Sequence, residues 1–242
     1  MSYSAFPRKY NFPTRPQYVV MITFQQDLKR RIAMERTTTR ASLRLQHFLK
    51  RCLDLLGAAA LILFLLPLFI IVSVLVALED GRPIIYRRRV LGVNGEFDAF
   101  KFRTMIRDAD SILSSDPTLK AEFERNFKLK DDPRITRVGA FLRRASLDEL
   151  PQLFNILSGQ MSLVGPRMIT APELDKYGSH KRLLLSAKPG LTGYWQVRGR
   201  QNVSYGERVR MDVYYIQNWS LTMDLRILVE TPLKVFKSEG AF

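Results

Sequence analysis

The sequence predicts an α+β fold, mostly α, for a domain held at a membrane by one re-entrant, proline-broken helix and by interfacial amphipathic helices. Three features predict it. An apolar segment without any charged residue runs from Leu55 to Leu78, and a basic stretch with recurring apolar residues precedes it over 29–51. Short strand-like and helix-like runs then alternate over 79–242, and most of them have helical spacing.

The chain has 242 residues and a formal net charge of +15, which favours an anionic partner: nucleic acid, an acidic membrane or phosphorylated substrates. This length is enough for one domain with appendages and a real core. Cys52 is the only cysteine, and His47 and His180 are the only histidines, which excludes an internal disulfide and a Cys/His zinc site. Any metal would have oxygen ligands, so Mg²⁺ is expected, with Mn²⁺ as the substitute.

The basic stretch over 29–51 contains a single acid, Glu35, and apolar residues recur among its cations. This pattern predicts a basic amphipathic helix on an anionic membrane surface. A nucleic-acid-binding arm is the competing interpretation, and the adjoining apolar segment favours the membrane. As a straight helix, Leu55–Leu78 would measure about 36 Å, which is enough to cross a bilayer core of about 30 Å.

Pro67 lies in the middle of this segment, where a proline kinks or breaks a helix. Both flanks are basic, and the positive-inside rule therefore places both ends in the cytoplasm. A helix that bends at Pro67 and returns to the same face satisfies both features, whereas an ordinary tilted span with a tolerated proline is the alternative. Three regions are predicted: a basic N-terminal extension over 1–46, partly irregular or amphipathic; a re-entrant membrane helix hairpin over 47–80; and a cytoplasmic-face domain over 81–242.

The last of these regions contains turn and periodicity signals that place its elements. They predict a strand over 83–86, a hairpin turn over 92–95 and a strand over 97–105. A polar helix with loops over 109–129, a turn over 131–134 and a helix closed by Ser158 and Gly159 are expected next. A strand over 161–164, a helical stretch around 172–186 and helical spacing over 212–236 that Pro232 breaks complete the prediction.

Two adjacent carboxylates, Asp148 and Glu149, directly follow an arginine pair. Ser146 and Glu149 have the spacing of a capping box, which would make the stretch an ordinary helix start. Pro151 fits that interpretation poorly because it strains the first turns. In so basic a chain, the alternative is that the two acids are a metal ligand and a nucleophile.

Cations recur beside strand ends and glycine turns in this domain. Arginine forks bind phosphate oxygens in pairs and glycine turns let backbone amides approach, so the pattern favours a diphosphate ligand. A solvated basic face on a membrane protein is the competing interpretation for any single arginine. The candidate phosphate-binding residues are Lys101, Arg103, Arg143, Arg167, Arg198 and Arg200, with Arg144 beside them.

Four long runs, in order, resemble the bacterial sugar transferases, which are monotopic polyprenyl-phosphate phosphoglycosyl transferases. The resemblance covers about 50–236. The runs are KFRTM (101–105), DPRITRVGAFLRRASLDELPQLFNILSGQMSLVGPR (132–167), KPGLTGYWQVRGR (188–200) and DVYYIQNWSLTMDLRIL (212–228).

The resemblance implies an enzyme that moves a sugar-1-phosphate from a UDP-sugar to undecaprenyl phosphate and releases UMP, as a first membrane step of surface-glycan synthesis. It implies that Asp148 is the nucleophile and forms a phosphosugar-aspartyl intermediate, and that Glu149, with Asp148, holds Mg²⁺. It also implies phosphate-binding or dyad-orienting roles for Lys101, Arg143, Arg167 and Arg200, and a membrane bend at Pro67.

The sequence departs from the family pattern before Gly92, where the arginine two residues earlier is missing, and Arg88 or Arg89 is the candidate replacement. Leu66 stands where a serine often precedes the bend proline. Two rival functions stay open: direct transfer with Asp148 as a base, and a catalytically silent scaffold of polysaccharide assembly. A nucleic-acid partner is disfavoured, because no fold signature for one appears.

Overall fold

In the part of the chain that the structure describes, most residues are helical, and two small sheets have two strands each. The computed structural model describes residues 15–126, 129, 132–198 and 203–236. The chain divides into two compact units, Met1–Phe48 and Leu49–Phe242. The second unit contains both sheets and every predicted site residue that the structure describes.

Helix α1 extends over Arg15–Asp80 and includes a part, Ser42–Asp80, that is long and apolar enough to cross a membrane. The mean hydropathy of its most apolar 18-residue window is 3.2. Only 11% of its most apolar window is buried within the protein. The backbone stays helical through Pro67. The re-entrant bend at Pro67 therefore stays a prediction.

Strands β1 (Ile85–Gly92) and β2 (Gly95–Phe102) form an antiparallel hairpin, and the predicted turn between them is confirmed. Gly95 closes the turn with a φ of +103°, a conformation that side chains other than glycine rarely adopt. Strand β1 starts two residues later than the predicted start at Pro83. Strand β2 ends before the predicted end at Met105, which makes only an isolated bridge to Ile135.

The segment after the hairpin is helical, as predicted, with α2 over Ala109–Ser115 and α3 over Pro117–Asn126. Helix α4 (Arg137–Arg144) starts at Thr136, whose hydroxyl accepts a hydrogen bond from the Gly139 amide at 2.9 Å. A 3₁₀ turn follows over Leu147–Glu149, and α5 covers Gln152–Leu157. The predicted helix end is confirmed: Ser158 caps α5, and Gly159 follows with a φ of +84°.

Strands β3 (Ser162–Val164) and β4 (Gly190–Thr192) pair in parallel. The connection between them contains a 3₁₀ helix over Ala171–His180 and α6 over Lys181–Leu184. Helices α7 (Tyr194–Arg198), α8 (Tyr205–Gln217) and α9 (Leu221–Phe236) complete the domain.

The predicted break at Pro232 is wrong, because α9 continues through this residue. The helical run is interrupted earlier, between α8 and α9. Ile227 is 1% exposed and packs α9 into the main core, and this packing outweighs the hydrogen bond that a proline removes.

The main core brings together residues from α1, the hairpin, α5 and β3, among them Ala58, Phe97, Leu153 and Leu163. A second cluster packs Val72 of α1 against Phe102 and Leu142. One face of α1 is therefore buried against the domain, while side chains such as Phe64 (81% exposed) face outward. The hairpin end and α4, which carry the candidate site, are fixed against this helix.

Gly139 offers a test of how closely α4 approaches the hairpin end. A Cβ atom at this position would lie 2.1 Å from the Thr104 carbonyl oxygen, which belongs to rigid backbone. We expect Gly139→Ala to lower the free energy of unfolding by about 1 to 3 kcal/mol, measured by thermal unfolding of the detergent-solubilised protein. Gly206→Ala is the control, because nothing lies within 4 Å of its Cβ position in α8, and it should be neutral or stabilising. Equal melting temperatures for the two variants would contradict the close approach.

Candidate functional site

Asp148 and Glu149 lie in the 3₁₀ turn that joins α4 to α5. Ser146 has a φ of +55° and makes no side-chain capping bond, so the capping-box interpretation of Ser146 and Glu149 is wrong. Its left-handed backbone instead ends α4, and its amide donates to the Arg143 carbonyl at 3.1 Å. Pro151 is then the N-cap residue of α5. This turn leaves Asp148 only 8% exposed.

Lys101, at the end of β2, lies against both carboxylates. Its Nζ atom is 2.6 Å from Oε1 of Glu149 and 3.7 Å from Oδ2 of Asp148. All three side chains are largely buried, so this ammonium offsets much of the cost of removing two acids from water. The structure thus brings together the first predicted cation and the predicted dyad.

The two carboxyl groups differ in acidity. Burial raises the pKa of Asp148, and Lys101 opposes that shift while the charge of Glu149 adds to it. Burial also acts on Glu149, but Lys101 and then Arg167 outweigh it and lower the pKa of that carboxyl. Glu149 is therefore the group that stays ionised, and Asp148 is the more basic one.

Arg143, in the last turn of α4, lies close enough to Asp148 for its charge to lower the pKa of that carboxyl. Its Nε atom donates to the Thr104 hydroxyl at 2.8 Å, which fixes the guanidinium over the end of β2. Burial lowers the pKa of Arg143, and the charge of Asp148 opposes this. Arg143 thus lies beside the dyad, and its phosphate-binding or orienting role stays a prediction.

Arg167 and Arg88 complete the positive surroundings, because the charges of both lower the pKa of Glu149. Arg88 lies 3.5 Å from Glu173 and is 30% exposed. Arg89 pairs with Glu96 and Asp98 in solvent instead and is 61% exposed. Adjacent residues of a strand point to opposite faces, so of these two arginines Arg88 is the one whose charge acts on the dyad. That it replaces the arginine missing before Gly92 stays a prediction.

Two predicted phosphate-binding residues are engaged elsewhere. Arg103 is 8% exposed and donates to the carbonyls of Asp80 and Gly81, which ties β2 to the end of α1. Arg198 pairs with Glu230 of α9 at 3.0 Å. Arg200 lies outside the described residues.

The glycines in these turns allow close packing of the backbone and do not leave free amides for a phosphate. Cβ atoms at Gly165, Gly190 and Gly193 would each lie 2.1 to 2.4 Å from backbone atoms across the contact. The amide of Gly165 donates to the Thr192 carbonyl, and the amide of Gly190 to the Pro166 carbonyl. These amides are already bonded, so the glycines bring two backbones together and thereby position Arg167.

Sequence reasoning did not identify the buried Asp212 or the cation Arg208, both on α8. The sequence does contain a signal that places these two residues together. Ser204 and Glu207 form a capping box that starts α8, which puts Arg208 and Asp212 four residues apart on one face of the helix.

The carboxylate oxygens of Asp148 and Glu149 suit a hard divalent cation. Among the described residues, no group of three or more His, Cys, Asp or Glu side chains converges on a metal site. Mg²⁺ commonly takes only one or two carboxylates from a protein and completes its shell with water and substrate phosphates. The dyad therefore offers the donor set that Mg²⁺ takes when a substrate diphosphate supplies further ligands.

The fold and the site together define a helical domain with one long apolar helix and a buried carboxylate pair surrounded by cations. The model of the bacterial sugar transferase family matches residues 45–238. The chain belongs to this family.

Three relatives have sequences similar to that of this chain. The UDP-galactose-lipid carrier transferase of Erwinia amylovora is 46% identical over 81% of this chain, and the undecaprenyl-phosphate galactose phosphotransferase of Salmonella typhimurium is 45% identical over 82%. The chain spans only 42% and 43% of the length of these two relatives. The exopolysaccharide production protein ExoY of Sinorhizobium fredii is 46% identical over 80% of the chain and is matched over 88% of its own length.

The charges that shift the pKa of Asp148 predict how this pKa changes when either neighbour, Glu149 or Lys101, loses its charge. We expect Glu149→Gln to lower the pKa of Asp148, because a negative charge is lost, and Lys101→Met to raise it, because a positive charge is lost. Carbon-detected NMR titration of labelled aspartate would measure both. Lys181→Met is the control, because this surface lysine pairs with Asp175 and should leave the Asp148 titration unchanged. Shifts of the opposite sign would refute the charge assignment.

Proposed function

We propose that this protein is a membrane-bound phosphoglycosyl transferase that moves a sugar-1-phosphate from a UDP-sugar to undecaprenyl phosphate and releases UMP. The observation that carries the proposal is the buried Asp148 carboxylate, held beside Glu149 and Lys101 in a strongly positive setting. The names of the relatives support the substrates, since they include a UDP-galactose-lipid carrier transferase and an undecaprenyl-phosphate galactose phosphotransferase.

The reaction would proceed in two displacements at one phosphorus atom. In the first, an Oδ atom of Asp148 attacks the phosphorus that bears the sugar, and the bond from this phosphorus to the bridging oxygen breaks. That oxygen leaves with its electron pair as part of UMP, and a phosphosugar-aspartyl intermediate forms. In the second, a phosphate oxygen of undecaprenyl phosphate attacks the same phosphorus, and the Asp148 carboxylate is released. Two easier steps thus replace one difficult transfer.

The cations around the dyad would stabilise the charge that develops on the phosphoryl oxygens in both displacements. Lys101 and Arg143 also favour the ionised form of Asp148, which is the form that attacks. Glu149, with its lowered pKa, would keep its negative charge and hold Mg²⁺ with Asp148. When bound, Mg²⁺ would neutralise the diphosphate and help UMP to leave.

We also propose a location and a partner surface. The apolar part of α1 would anchor the protein in the bacterial inner membrane without crossing it, and the catalytic domain would face the cytoplasm, because both flanks of the apolar segment are basic. Anionic lipid would then meet the basic stretch over 29–51. The lipid-linked product would pass to downstream glycosyltransferases of exopolysaccharide, capsule, O-antigen or glycoprotein glycan synthesis.

Asp148→Asn tests the nucleophile. Without acceptor lipid, the wild-type protein should release about one equivalent of UMP and gain the mass of a sugar phosphate, because the intermediate accumulates. Asp148→Asn should show neither and lose at least roughly 10⁴-fold in turnover, while it stays folded and membrane-bound. UMP release and intact mass would be measured with Mg²⁺ and a panel of UDP-sugars, starting with UDP-galactose.

Glu149→Gln is the matched variant, which we expect to slow adduct formation by roughly 10²- to 10³-fold without removing the attachment point. Turnover in wild type without a UMP burst or an adduct would instead favour direct transfer with Asp148 as a base. A folded wild-type protein that is silent with the whole panel would favour the scaffold.

The proposed topology can be tested by labelling. In a Cys52→Ala background, single cysteines at Ser42 and Ser115 flank the apolar segment. A membrane-impermeant maleimide should leave both unmodified in intact spheroplasts and label both after permeabilisation, because a re-entrant helix keeps both flanks inside. Labelling of one position from outside would show an ordinary span.

A further inference from the structure

A second polar cluster surrounds Trp195 of α7, which is 5% exposed. The guanidinium carbons of Arg167 and Arg208 lie 5.4 and 4.8 Å from the centre of its ring. Tyr205, at the start of α8, packs edge-on against Tyr177. The cluster therefore draws on α7, α8, the 3₁₀ helix and the turn after β3.

Three buried atoms of this cluster have no hydrogen-bond partner among the described residues: Nε1 of Trp195, Nε of Arg208 and the hydroxyl of Tyr205. Buried polar atoms in folded proteins are almost always paired. All three can donate a hydrogen bond, and the first two can only donate. Three unsatisfied donors in one place indicate a ligand rich in acceptor oxygens.

The charges of the cluster also indicate an anionic ligand. Neither Arg167 nor Arg208 forms an ion pair with a carboxylate in the part of the chain that the structure describes. Two acids face the cluster, and both are engaged. Asp212 accepts from the Tyr177 hydroxyl at 2.8 Å and from the Arg167 amide at 3.4 Å, and Glu173 is held in the capping box of its own 3₁₀ helix. Burial, and then the charge of Arg167, lower the pKa of Arg208, and the charge of Glu173 opposes this shift without cancelling it.

Arg167 links this cluster to the dyad, because its charge also acts on Glu149. We propose that Trp195, Tyr205 and Arg208, together with Arg167, form a second phosphate subsite beside the dyad. It would hold a phosphate group that is not being transferred at that moment. The inference rests on the proposed function, which offers two sources of such a group: the phosphate of UMP and that of undecaprenyl phosphate.

Binding measurements on the 242-residue chain in nanodiscs would test the subsite. Trp195→Phe and Tyr205→Phe each remove one donor and keep an aromatic side chain, and each should weaken binding by about tenfold, the effect of one hydrogen bond to a charged group. Arg208→Gln should weaken binding further, and Arg208→Lys should restore part of the loss. The readouts are the Kd for UMP, with uridine as the ligand lacking phosphate, and the KM for undecaprenyl phosphate.

Two matched controls lie on α8. Tyr214→Phe removes a hydroxyl from a residue that is 47% exposed, and Arg210→Gln removes a cation whose side chain is 78% exposed. Both should leave Kd and KM unchanged. The melting temperature of each unliganded variant shows whether it is folded, and the two aromatic variants keep the test open if Arg208→Gln does not fold.

A selective rise in the Kd for UMP, with uridine unaffected, would assign the subsite to the nucleotide phosphate. A selective rise in the KM for undecaprenyl phosphate would assign it to the acceptor phosphate. Unchanged values for both ligands in the folded aromatic variants would overturn the subsite, while the Asp148 adduct would still stand. Conversely, phosphate binding that depends on Trp195 in a protein that forms no Asp148 adduct would support the subsite and contradict the proposed reaction.

Discussion

The contact between Lys101 and the two adjacent carboxylates is the interaction on which the site depends. Removing an ionised carboxylate from water costs several kcal/mol, and a charge left unpaired in the interior destabilises the fold strongly. The Lys101 ammonium, 2.6 Å from Glu149 and 3.7 Å from Asp148, supplies the compensation. It can do so only if the β1–β2 register, the end of α4 and the turn before α5 are all in place. Formation of the site is thus coupled to formation of the domain.

The same contact makes the two acids unequal. Lys101 lies closer to Glu149, whose pKa falls, while burial raises the pKa of Asp148. Two carboxyl groups pushed in opposite directions are suited to different tasks. A more basic carboxylate is the better nucleophile if it is ionised, and Lys101 and Arg143 favour that ionised form. The geometry therefore supports a division of roles that adjacency in the sequence leaves undetermined.

The sequence was sufficient for the elements whose signals are local. The Gly92–Gly95 turn, the Gly159 helix end and the apolar helix follow from glycine conformations and hydropathy, and the structure agrees. The sequence misled where a backbone angle decided the outcome. Serine is a common N-cap residue, but Ser146 has a left-handed φ and ends α4 instead of capping the next helix. It was also insufficient for the cations. Arg103 and Arg88 sit in similar basic runs, and only packing shows that the first binds the end of α1 while the second acts on the dyad.

Buried polar bonds, in addition to apolar contacts, fix the apolar helix to the domain. Lys50 of α1 pairs with the fully buried Asp224 at 2.6 Å and also donates to the Val164 carbonyl. Asp54, one turn later, accepts from the Ser162 hydroxyl and the Leu163 amide at the start of β3. Hydrogen bonds fix orientation more sharply than apolar packing does, because they depend on angle as well as distance. Since β3 leads directly to the turn that carries Arg167, a rotation of the apolar helix would displace this arginine. A helix placed in the bilayer would therefore set the position of the cations relative to the membrane surface.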